Sequence, residues 1–176
     1  MTKAMDTKWI TWVMLALLIG YSFSRKFKSG PQLDTPAPIF KARLNDNSHF
    51  DLEKHKGKVV VLDFWATWCP PCRESLPALS KVADKYKNDP KVWVGSVNKE
   101  ALSRPEIDRW LAQRKLRFPV IRDYQYEISR NYKIEALPTM VIINPEGKID
   151  HVEVGLRSSH VPTLVRHLSD LIESAR

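Results

Sequence analysis

Apolar positions fall into two patterns along the chain. Val59-Val60-Val61-Leu62 is an uninterrupted apolar run that reads as a strand buried on both faces. Asp63-Phe64-Trp65-Ala66-Thr67-Trp68-Cys69-Pro70-Pro71-Cys72 follows. Beyond it, Leu76, Leu79, Val82, Ala83 and Tyr86 share one face of a predicted helix. Pro77 lies inside that pattern and predicts a kink. The two cysteines therefore sit where a central strand ends and a helix begins.

Upstream, 39–44 and 49–52 flank Asn45-Asp46-Asn47-Ser48, a hairpin with a polar turn. Downstream the pattern predicts a strand over 92–97, a helix over 105–115, a short strand over 118–121 and a short helix over 126–132. A strand over 139–143, a turn at Asn144-Pro145-Glu146-Gly147 and an antiparallel partner over 149–154 follow. Val161, Leu164, Val165, Leu168, Leu171 and Ile172 form an amphipathic terminal helix. Strands alternating with helices predict an α/β sheet, made mixed by the terminal hairpin.

The N-terminus reads differently. A short tail, 1–8, precedes an uncharged segment, 9–24, which would span about 24 Å as a helix, against a hydrocarbon core of about 30 Å. Lys8 and Arg25 can snorkel, and Trp9, Trp12 and Tyr21 suit the interface, so a transmembrane anchor is expected. A cleaved signal peptide is the rival; Ser22-Phe23-Ser24 is a poor cleavage site with basic residues directly behind it. Lys3 and Lys8 before the segment and Arg25, Lys26 and Lys28 after it would not by charge alone put the domain outside. A linker, 25–35, leads to a domain over 36–176.

The chain of 176 residues has room for one domain and a tail, and its net charge is +8. Its basic residues are scattered and no nucleic-acid motif accompanies them, so a basic surface near a membrane is expected and no nucleic-acid partner.

Cys69 and Cys72 are the only cysteines. At the start of a helix, unpaired N–H groups and the macrodipole favour a thiolate at Cys69, below the free thiol value of about 8.5. Cys72, one turn on, is close enough to bond to it. Pro70 and Pro71 are tolerated in a first turn and stiffen it. A zinc site needs four ligands, and neither the histidine spacing nor a second C-x-x-C supplies them. Asp63 is an acid in an apolar strand, so its pKa is expected to be raised; it could accept the Cys72 proton or simply reach a backbone group.

The segment V-V-V-L-D-F-W-A-T-W-C-P-P-C, with the later L-P-T, resembles the active-site region of the thioredoxin superfamily. The likeness is to membrane-anchored thiol–disulfide oxidoreductases of the TlpA, ResA and CcmG type, which serve cytochrome c maturation, and spans roughly 36–176. It implies a thioredoxin fold with an N-terminal β-hairpin extension and a helix–strand insertion around 104–121. It implies that Cys69, Cys72 and Asp63 are catalytic, and that Pro138 is a cis-proline. Trp68, Pro70, Pro71, Leu137 and Pro138 would contact substrate; Trp65 is read as core. The implied partners are proteins with disulfides and a membrane thiol reductase as electron donor. No cofactor beyond the Cys69–Cys72 pair and no metal is implied. The implied location is the bacterial inner membrane, with the domain facing the periplasm.

The lysine that often accompanies the buried acid has no counterpart in 92–97. The glutamate that similar reductases often carry three residues after the second cysteine is replaced by Ser75, with Glu74 one earlier. Two alternatives stay open: a thiol peroxidase of the peroxiredoxin-like kind, although Thr67 lies two rather than three residues before Cys69, and a metal-carrying module using Cys69 and Cys72.

Overall fold

The structure, a computed structural model, describes residues 12–14 and 30–176. Its strands are β1 (Lys41–Arg43), β2 (His49–Asp51), β3 (Val59–Trp65), β4 (Val92–Asn98), β5 (Val120–Arg122), β6 (Thr139–Ile143) and β7 (Ile149–Val154). Its helices are α1 (Pro70–Tyr86), α2 (Arg104–Gln113), α3 (Glu127–Asn131) and α4 (Val161–Ser174). The expected anchor over 9–24 lies outside the described residues except for 12–14, which are helical. Among the described residues no helix is long and apolar enough to cross a membrane.

Five strands form a mixed sheet in the order β5-β4-β3-β6-β7. β3 pairs parallel with β4 and antiparallel with β6, and β7 closes the expected terminal hairpin on β6. β3 is central, and its alternation divides the core. Val59, Val61 and Trp65 face α1, α2 and α4, while Val60, Leu62 and Phe64 face the β1–β2 hairpin and α3. The strand runs three residues beyond the apolar run, because Asp63, Phe64 and Trp65 stay paired with both neighbours or with β4.

α1 buries the predicted stripe of Leu76, Leu79, Val82, Ala83 and Tyr86 and continues through Pro77. The helix and strand expected around 104–121 are present as α2 and β5. Ile107 and Leu111 of α2 are buried, and Trp110 lies 5.0 Å from the Trp65 ring. β5 pairs parallel with β4 at the sheet edge. The hairpin turn covers that edge: Leu44 bridges Ile121, the Asn45 N–H donates to the Val120 carbonyl, and the Val120 N–H donates to Asn45 Oδ1. Asp34 and Thr35, in the stretch read as linker, are tied by backbone bonds to Ile149.

Trp93 joins hairpin to sheet. Its ring lies 4.4 Å from Phe50 and crosses over Gly95, where an added Cβ would come within 2.3 Å of the indole. G95A should therefore push Trp93 off the hairpin and cost about 1–3 kcal/mol, read as a lower guanidinium midpoint in fluorescence-monitored unfolding.

Candidate active site

β3 ends at Trp65, and Ala66, Thr67 and Trp68 carry the chain to Cys69, the N-cap of α1. The Cys72 N–H donates to Cys69 Sγ at 3.2 Å, so the sulfur occupies the position an N-cap oxygen would take. Pro70 and Pro71 fill the first turn without losing a helical bond. Cys69 and Cys72 are joined as a disulfide with Cα atoms 5.3 Å apart. Cys72 is wholly buried and Cys69 is 2% exposed. Beside them Trp68 is 64% exposed and Pro70 is exposed, presenting an apolar surface around the sulfurs. Leu137–Pro138 is a cis peptide, as the resemblance implied; Leu137 is half-buried and Pro138 buried. Trp65 is core, donating its Nε1–H to Ser96 Oγ at 3.0 Å.

Asp63 sits within β3, not at its end, and is 5% exposed. Strand alternation puts it on the α1 face with Val61 and Trp65. Burial, and then the charge of Glu153, push its carboxyl up to about 7. It lines a cavity of about 40 Å³ shared with Ser75, Leu79, Pro138, Met140 and Glu153. Ser75 is one helical turn after Cys72 on the same face, and its hydroxyl donates to the Cys72 carbonyl at 3.1 Å. Glu74 is exposed, away from this cavity. Lys99, just after β4, donates to the Ile134 carbonyl on the hairpin side of the sheet.

The sequence reading missed Glu100. This buried carboxylate accepts the Thr67 N–H at 2.7 Å, the Thr67 hydroxyl at 3.0 Å and the Asn98 amide at 2.8 Å. It thus ties the loop before Cys69 to the end of β4. No local motif marks it, because its partners are set by the pairing of β3 with β4.

The comparisons with known proteins agree with this geometry. The Redoxin family model matches residues 32–168. The chain is 30% identical over 155 residues to the thioredoxin-like protein YneN of Bacillus subtilis (strain 168), covering 84% of this chain and 90% of that one. It is 29% identical over 150 residues to the thiol-disulfide oxidoreductase ResA of the same strain, covering 82% and 83%. Among solved structures, a putative thiol:disulfide interchange protein DsbE from Chlorobium tepidum superposes with a TM-score of 0.68 at 32% identity, covering 84% of this chain and 97% of that one. The family match, relatives of this likeness and a bonded cysteine pair at a helix N-terminus lead to one conclusion: the chain belongs to the redoxin family, among the ResA- and DsbE-like thiol–disulfide oxidoreductases of the thioredoxin superfamily.

Proposed function

We propose that this oxidoreductase works as a reductase of disulfides in exported proteins, apocytochromes c among them. In this reading it is tethered by 9–24 to the bacterial inner membrane, with its domain on the periplasmic side. The observation that carries the chemistry is Cys69 as N-cap of α1 with Cys72 bonded one turn behind it. The tether is supported by the uncharged 9–24 segment, and the direction by the likeness to reductases of exported proteins.

The reduced chain attacks through Cys69. The helix N-terminus and the Cys72 N–H stabilise its thiolate. A Cys69–partner bond forms as the partner's disulfide breaks, and the departing partner sulfur takes a proton. Asp63 then accepts the Cys72 proton; a carboxyl near 7 is a usable base at neutral pH. The Cys72 thiolate attacks Cys69 Sγ, the intramolecular disulfide forms, and the partner's second thiolate leaves and is protonated. The partner gains two electrons and two protons, and a membrane thiol reductase returns two electrons to the chain. Trp68, Pro70, Pro71, Leu137 and Pro138 supply the surface on which the partner segment lies. Glu100 positions the loop that carries Cys69.

Three outcomes are expected. C72S should accumulate mixed disulfides through Cys69 in cells, identified by mass spectrometry after non-reducing electrophoresis; capture of no protein that depends on Cys69 would sink the exchange reading. Because Asp63 binds its proton more tightly folded than unfolded, its stabilising contribution is complete below about pH 3.8 and is lost as pH rises through about 7. The unfolding free energy of D63N relative to wild type should therefore rise by about 4 kcal/mol between about pH 3 and about pH 8, measured in urea. E100A leaves the Thr67 N–H, the Thr67 hydroxyl and the Asn98 amide without their acceptor and should cost about 2–3 kcal/mol in guanidinium unfolding.

A further inference from the structure

The cavity beside Asp63 has a second side. Asp63 pairs with Met140 across β3–β6, and Met140 pairs with Glu153 across β6–β7. Paired residues on neighbouring strands share a face, so the two carboxylates project to one side of the sheet with backbones about 10 Å apart. Both line the cavity, whose 40 Å³ has room for about two or three water molecules.

Glu153 opens a graded path outward. Its Oε2 lies 2.6 Å from His167 Nε2 on α4. His151 Nε2 and Arg157 Nη1 stand farther off, at 3.8 and 3.9 Å. The side chains of Glu153 and His167 are 16% and 21% exposed, and those of His151 and Arg157 are 35% and 61% exposed. The sequence thus runs from a buried carboxyl through half-buried Glu153 and His167 to solvent. Among the described residues, α1 adds only Ser75 as a polar lining group, β6 adds Met140 and Pro138 precedes it; the charged groups come from β7, the segment after it and α4.

We propose that Glu153 and His167 are positioning residues for Asp63, forming the outer end of a proton path between Asp63 and solvent and setting the pH range over which Asp63 takes the Cys72 proton. This rests on the reading of Asp63 as proton acceptor. In each cycle the Cys72 proton moves to Asp63 as the Cys72 sulfur becomes a thiolate. Asp63 passes that proton through the cavity to the Glu153–His167 pair, and the imidazole, a group suited to loading and unloading protons near neutrality, releases it to bulk water. The Glu153 charge disfavours ionisation of Asp63, and a positive charge carried by the imidazole in contact with Glu153 would oppose that effect.

The test uses the full chain with ¹³C-labelled aspartate. The Asp63 carboxyl is titrated by NMR with the disulfide intact, in wild type, E153Q and H167Q. In parallel, the pH profile of single-turnover insulin reduction is recorded for each reduced protein. E153Q should lower the Asp63 midpoint by about half a pH unit or more and carry the acid limb of the rate profile with it; H167Q should raise both. A pair that only braces α4 against β7 would not move the midpoints in opposite directions, so unchanged midpoints, or shifts of one sign, overturn the proposal. D63N separates the two readings. If its acid limb matches wild type, Asp63 is not the acceptor and both fall; if D63N loses the limb while E153Q and H167Q keep the wild-type midpoint, only the role of the pair falls.

Discussion

A carboxyl group placed in the apolar layer between a sheet and its helices is costly unless it stays neutral or is given polar company. β3 does this at Asp63, between Val61 and Trp65 on the same face, and the surroundings accommodate it. Ser75 stands where a bulkier side chain would close the space, a buried proline forms one wall, and Glu153 stands at the rim. Glu100, the other buried acid near the cysteines, is treated in the opposite way. It is saturated by donors from Thr67 and Asn98, whereas among the described residues no hydrogen bond reaches the Asp63 carboxyl from a protein donor. A carboxylate held by three donors is fixed in place, and one without them is free to change its protonation. The two buried acids near the cysteines are thus held in different ways, one by donors from the loop and the strand and one with no protein donor among the described residues.

Much of this was legible from the residues. The apolar run at 59–62, the stripe from Leu76 to Tyr86 and the spacing of the cysteines determine a strand, a helix and a reactive junction, because each signal is local. The end of β3 was not legible, since the apolar run stops at Asp63 while pairing continues to Trp65. Glu100 needs Thr67, thirty-three positions away, to have any meaning. Glu153 and His167 were hidden for a more specific reason. A register shift between Ile142 and Ile143 places Ile149 and Val152 on the hairpin face together and turns His151 and Glu153 toward α4. Simple alternation through β7 cannot foresee that change of phase.

α2 bears on the site indirectly. It brings Trp110 against Trp65, the last residue of β3, while Trp65 is also bonded to Ser96 of β4. The strand end from which the cysteine loop departs is therefore held from the side, and the loop itself from below by Glu100. Neither restraint passes through a sulfur.

That independence matters for the bridge itself, whose two cysteines are separated by only three positions. A link across so short a stretch restricts the denatured chain much less than one closing a long loop. The molecule can surrender and regain it on every turnover while the frame around it persists, so the bond serves as a consumable carried by the fold and not as one of its supports.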